Sequence, residues 1–366
     1  MRLSHTLSRY IARQFLMHFL AILALFVFLI LVFDTVELLR RAAGRSGIGL
    51  SLIAEMAILR SPHMMQMTLP FSILFASMLT FWRLTRSHEL IVTRAAGVSA
   101  WQFLLPILLV TLLLGVARIT MVNPVSAIML ARYDRLDNTY LRTGGNALAF
   151  AGGGVWLRQS GDHGQVVLHA NAVSLNGPQV ELKPVIVYQY RGNDKFFGRI
   201  DAERATLRDG YWEMEKAWLH RPEEPATFAE RHRLPTDLTL ARIQDSFAAP
   251  ETMSFWDMPG FIDALRGAGF SALRHRLHLH ALLATPFLMM AMVLLAATFT
   301  LRHVRQGGTT SIVGLGVATG FLVYFFSDVA FALGLSSSIP IALAAWTPAS
   351  VTGSIGIALL LHLEDG

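Results

Sequence analysis

The chain has 366 residues, 53% hydrophobic and only 15% charged, with a mean hydropathy of +0.47. A soluble domain carries roughly 25% charged residues, so a single water-soluble globule is excluded and a polytopic membrane protein with a water-soluble insertion is expected. The net charge of +6 comes almost wholly from arginine, since Lys183, Lys195 and Lys216 are the only lysines. The arginines are spread over loops and membrane edges without interleaved aromatics, which argues for anionic lipid headgroups and against nucleic acid. Cysteine is absent, so disulfides and thiolate metal sites are excluded.

The N-terminal "MRLSHTLSRYIARQ" is positive and leads into an apolar run at 15–33. That run is too long for a signal peptide and ends in "FDTVELLRR" without a small-residue cleavage site, so it reads as an uncleaved first span. Runs of about 20 apolar residues, enough for a hydrocarbon core of ~30 Å, place further spans near 61–82, 101–121, 277–301, 309–334 and 339–362. The division expected is a first membrane half at 1–121, an outside domain with helical linkers at 122–276 and a second membrane half at 277–366. Arg2, Arg9, Arg13, Arg83, Arg86, Arg94, Arg302 and Arg305 fall on one side of such a six-span chain. The positive-inside rule then puts both termini in the cytoplasm. Arg40, Arg41 and Arg45 fall on the opposite side, against the rule.

The 122–276 segment reads as β. "GGVWLRQS", "GQVVLHANAVSL", "QVELKPVIVYQYRG" and "GYWEMEKAWLHRP" alternate apolar and polar, separated by "SGDHG", "LNGP", "RGNDK" and "RDG". Strands at this spacing predict a sandwich, jelly roll or open barrel. "SFWDMPGFIDALRGAGFSALRHRLHLH" then turns helical, with Ser254 as a candidate cap.

Catalytic and energy-coupling motifs fail. None of the three lysines follows Gly, so no Walker A loop exists and any ATP is held by another subunit. "HELIV" at His88 and Glu89 lacks the second His of a zinc protease, and no G-x-S-x-G elbow occurs. His275, His278 and His280 read as amphipathic residues at a membrane edge rather than metal ligands. Asp328 is an acidic residue within a late span, a candidate for proton coupling, though a place near the outer end or a wet cavity explains it more simply.

Residues 83–99, "RLTRSHELIVTRAAGVS", place Leu84, His88, Ile91 and Ala95 on one helical stripe with Val92 beside it, and Gly97 as a stop. Periodicity leaves two readings open: a helix lying on the bilayer, or one docked in a cytoplasmic partner, with Glu89 fixing register.

In their order, four patterns resemble one family, the lipopolysaccharide export permeases LptF/LptG. They are "SRYIARQFL" before span one, "SHELIVTRAAGVS" between spans two and three, "LRHRLHLHALLATP" at the start of span four and "IPIALAAWTPA" in the last span. The last two look more like LptG than LptF. The resemblance covers essentially the whole chain. It implies six spans with a periplasmic β-jelly-roll, no enzymatic activity and no cofactor of its own. It also implies an inner-membrane permease pairing with an LptF-type subunit. An LptB-type ATPase dimer drives it, and lipopolysaccharide passes to LptC and LptA. The motif makes 83–97 the coupling helix, with Arg86, Glu89, Leu90, Ile91 and Gly97 assigned to the ATPase contact. It assigns Glu37, Arg40, Arg41, Arg132 and Arg135 to the lipopolysaccharide cavity. Arginine bonds phosphate through charge-assisted pairs, which would explain Arg40 and Arg41 on the outer side; Asp34 departs from relatives that are basic there. The rival expectations are an ion-coupled secondary transporter centred on Asp328 and a membrane-embedded lipid-modifying enzyme.

Overall fold

The structure, a computed structural model, describes residues 5–43, 49–95, 97–141, 148–151, 154–161, 164–176, 179–191, 195–222, 224–236, 238, 249–267, 271–303 and 309–365. Arg45 and Arg305 lie outside the described residues, as do the side chains of Ile91 and Arg302. The chain divides into two compact units. One comprises Met1–Leu141, Pro250–Met258 and Leu273–Gly366; the other comprises Arg142–Ala249 and Pro259–Ala272.

In the first unit, α1 (His5–Ala42), α2 (Leu50–Arg86), α3 (Glu89–Ala95), α4 (Ala100–Ala117) and α5 (Asn123–Leu136) precede the β insertion. After it come α7 (Leu273–His303), α8 (Thr309–Leu335) and α9 (Ile341–Asp365); the intervening α6 (Met258–Gly267) belongs mostly to the second unit. Six stretches are long and apolar enough to cross a membrane: His5–Ala42, Leu50–Arg86, Ala100–Leu141, Leu273–Thr300, Gly314–Leu335 and Ile341–His362. Their packed centre joins Ile11, Phe15 and Phe19 of α1, Ile73, Leu74 and Phe81 of α2, Leu104 and Ile107 of α4, and Met289, Met292 and Val293 of α7. Large apolar side chains also point outward, among them Met17, Phe28 and Phe33 on α1 and Phe321, Leu322 and Phe325 on α8. Water would penalise such faces; hydrocarbon does not.

Close approaches are set by small residues. A Cβ on Gly115 of α4 would lie 2.7 Å from the Pro286 side chain of α7, so only glycine lets these helices meet there.

The first three spans are longer than their apolar runs. The third, expected to end near 121, continues to Leu141 through two π-turns, Arg118–Val122 and Asp137–Leu141. Pro124 explains the first. It lacks an N–H, so the carbonyl of Thr120, four residues back, loses its helical donor. The Asn123 N–H instead reaches the Arg118 carbonyl, five residues back. The freed Thr120 carbonyl accepts the Trp256 indole N–H at 3.3 Å, and Asn123 Oδ1 accepts the Phe255 N–H at 2.8 Å. The segment leading back to the membrane helices is thus bonded to the turn that proline opened.

The second unit carries one antiparallel sheet with strands in sequential order. They are β1 (Leu148–Ala151), β2 (Gly154–Gly161), β3 (Gly164–Asn176), β4 (Gln179–Arg191), β5 (Lys195–Arg208), β6 (Tyr211–His220) and β7 (Thr227–Pro235). One face buries Leu168, Val187 and Ile200, which the register sets side by side. On the other, register aligns Trp156, His169, Ile186, Asp201, Trp218 and Phe228 in a row across six strands. The inserted domain is all-β, as expected; its closure as a jelly roll rests on the family resemblance. The helix expected from Ser254 begins at Met258, because Ser254 first closes a turn in which its Oγ accepts the Trp256 N–H and its carbonyl the Asp257 N–H.

Candidate functional site

The 83–99 stretch is not one helix. Arg83–Arg86 complete α2, a turn follows at Ser87–His88, and α3 begins at Glu89. The continuous amphipathic helix read over 83–99 and assigned to coupling over 83–97 is corrected accordingly. The break has local causes. The Ser87 N–H and Oγ both bond the Arg83 carbonyl. His88 takes φ +62°, a left-handed conformation uncommon for a non-glycine residue. The apolar period survives the break because Leu84, on α2, and Leu90, on α3, are both buried in the same core. His88 instead is exposed.

Glu89 therefore opens α3 rather than sitting mid-helix. A carboxylate there is favoured by the unpaired N–H groups of a first turn. It also accepts hydrogen bonds from Ser87 Oγ at 2.9 Å and the Tyr10 hydroxyl at 3.4 Å. α3 ends in a Schellman motif: the Val98 N–H reaches the Thr93 carbonyl, the Gly97 N–H reaches that of Arg94, and Gly97 holds φ +82°. Ser99 then caps α4 by accepting the Gln102 N–H. The outward face presents Arg86, whose guanidinium lies over the Trp82 ring at 5.2 Å, together with Arg94 and Val92, the last 66% exposed. Ile91 lies on the backbone of α3.

At the other end of α1, the residues assigned to the cavity join an ion-pair network. Arg40 binds Glu37 through Nε at 2.8 Å and Nη2 at 2.9 Å, as an i, i+3 pair. Arg41 reaches Glu37 at 3.4 Å and Asp137 of the second π-turn at 3.2 Å. Arg132 pairs with Glu55, and Arg135 is exposed with no ion-pair partner among the described residues. Asp34 pairs with Arg60 at 2.6 Å, and the Arg60 guanidinium lies over the Tyr133 ring at 5.4 Å. The structure thus joins Glu37, Arg40 and Arg41 directly, and leaves Arg135 outside their pairs. Arg60, Glu55 and Asp137 were missed by sequence reasoning. Arg60 stands at the edge of an apolar run, where an arginine reads as a headgroup anchor, and only the fold shows that it answers Asp34.

Asp328 is exposed on α8. Among the described residues no group of three His, Asp or Glu side chains could hold a metal ion.

Six helices long and apolar enough to cross a membrane, a β insertion between the third and fourth, and a short helix at the turn between the second and third define a polytopic membrane protein with an inserted β-domain. The model of one family, the lipopolysaccharide export system permease LptF/LptG, matches residues 9–362, and the chain belongs to that family. It is therefore a multi-pass inner-membrane protein of the permease of the lipopolysaccharide export system. No curated protein matches this sequence.

Proposed function

We propose that this chain is an LptG-type permease subunit. It takes lipopolysaccharide from the inner membrane and hands it to a periplasmic bridge of LptC and LptA type. A separate LptB-type ATPase dimer drives it, an LptF-type subunit is its partner, and the chain itself binds no nucleotide. The observation that carries this reading is α3. It is a seven-residue helix fixed at both ends, anchored by Leu90, with Arg94 and Val92 turned outward. A rigid knob of this kind transmits a push better than a loop. ATPase closure would move α3 and, through Leu84 and Leu90, the helices around the cavity. Both termini and α3 lie in the cytoplasm and the β-domain in the periplasm. Arg40, Arg41, Arg132 and Arg135 receive lipid A phosphates, and Glu37 is the carboxylate that holds Arg40 and Arg41 until then. Arg40, Arg41 and Arg132 each already have a carboxylate partner, so a phosphate enters by exchanging with it.

The test is lipopolysaccharide release from proteoliposomes containing the chain and its partner subunits. ATP-dependent transfer to an added soluble acceptor supports the proposal. ATP-independent transfer that follows a pH gradient and is lost in Asp328→Asn would overturn it.

A further inference from the structure

The geometry points to a phosphate-binding site at the outer membrane edge, built on Arg118 and His278. Arg118 lies in the first π-turn, where its Nε and Nη1 are buried and hydrogen-bond to nothing. On α7, His278 Nε2 is likewise buried and unpartnered. His278 lies within electrostatic range of Arg118, His63, His275 and Glu251, and His63 within range of Arg118 and Glu251. These groups come from four elements: His63 from α2, Arg118 from the π-turn, Glu251 from the 3-10 turn Pro250–Thr252 and His278 from α7.

The fold holds these groups in place independently of any ligand. Gly115, one turn inward of Arg118, locks α4 against α7 at Pro286. Pro124 opens the backbone just outward, and the Phe255 and Trp256 bonds fix the segment that carries Glu251. Arg118 lies roughly 27 Å beyond Ala100 at ~1.5 Å per residue, near the far side of a ~30 Å hydrocarbon layer.

A guanidinium in that position is costly without a counter-charge. No carboxylate among the described residues is paired with Arg118, and Arg118 takes no part in the ion pairs around Glu37 and Asp137. The group required is an oxyanion that accepts from several donors at once. At headgroup depth the abundant one is phosphate, carried by a lipid or free in solution. A metal ion does not fit, because the arginine would repel it and no ligand triad is present among the described residues. The site needs only the membrane placement of the helices and does not depend on what the permease exports.

The test uses the full chain, purified with its co-expressed partner subunits in lipid-stripped detergent. Thermal unfolding is followed against dihexanoyl-phosphatidic acid, dihexanoylglycerol and inorganic phosphate. Stabilisation by the phosphatidic acid alone assigns a lipid headgroup; equal stabilisation by inorganic phosphate assigns the free ion; either supports the site. Arg118→Gln should weaken the apparent affinity about tenfold, the loss expected for charged hydrogen bonds. No stabilisation of the wild type by either phosphate, or unchanged affinity in Arg118→Gln, overturns it. Should Arg118→Gln fail to fold, His278→Leu is measured instead. It keeps the guanidinium and should weaken binding several-fold, and unchanged affinity there also overturns the site.

Discussion

Arg40 and Arg41 are adjacent arginines with different work to do. Arg40 is 76% exposed and, among the described residues, bonded only to its helical neighbour Glu37, a pair that water competes with. Arg41 reaches the Asp137 carboxylate, which is only 3% exposed. Arg41→Ala should therefore lower stability by about 1–2 kcal/mol, since it removes a charged partner from a buried carboxylate. Arg40→Ala should leave the melting temperature unchanged and act only on substrate. Differential scanning fluorimetry of the two variants separates these roles. Gly97 is fixed by its backbone instead. A side chain at φ +82° is strained, so Gly97→Val should destabilise the end of α3 by about 1–2 kcal/mol, measurable as faster amide exchange at Val98. In the β-domain, burial and the nearby Arg221 hold His232 below the ordinary histidine pKa. Its folded form resists protonation, so its contribution to stability is full above pH ~6.5. That contribution falls as pH drops through the lower folded value. Melting at pH 7.5 and 5 should show a loss that His232→Gln reduces.

At the scale of elements, α4 and α7 are joined through Gly115 and Pro286, and Gly115→Leu should prevent that approach. Overpacking of a fitted contact costs about 1–3 kcal/mol, and detergent-solubilised variant should elute aggregated or melt earlier. Elements whose signal is local were legible in the sequence: six apolar runs, the alternation of β2, β3, β4 and β6, and Gly97 as a stop. Elements whose signal depends on partners were not. β5 carries "RIDAERATLR", in which Ala202 and Ala205 face the core; small and charged residues in that order resemble a helix until the sheet supplies neighbours on both sides. The break at Ser87–His88 was hidden because Leu84 and Leu90 reach one core from two different helices. Helix lengths were underestimated because turns that carry charges, such as 34–42 with Asp34 and 50–60 with Arg60, are held by ion pairs between helices, and hydropathy does not register these. Of the site, the residue types were legible from their motifs, but their pairing was not, since Arg60–Asp34 and Arg41–Asp137 join distant parts of the chain.

For the whole molecule, the absence of cysteine makes orientation directly measurable. Single cysteines at Ser87, in the turn before α3, and at Asp209, in the exposed turn between β5 and β6, should report opposite sides. In intact cells a membrane-impermeant maleimide should label Asp209→Cys and spare Ser87→Cys until the inner membrane is opened. The reverse pattern would invert the placement of the β-domain and remove α3 from the cytoplasm.

The central claim is that α3 receives the force of an ATPase, and co-purification tests it most directly. The tagged chain would be co-expressed with the LptB-type ATPase and LptF-type permease from the same genome, as wild type, Glu89→Lys and Val92→Glu. Stable recovery of the ATPase with the wild type, and its loss in both variants while the LptF-type subunit is retained, is the result predicted. Equal recovery of the ATPase with all three proteins would contradict the claim, because α3 would then not be where the two proteins meet.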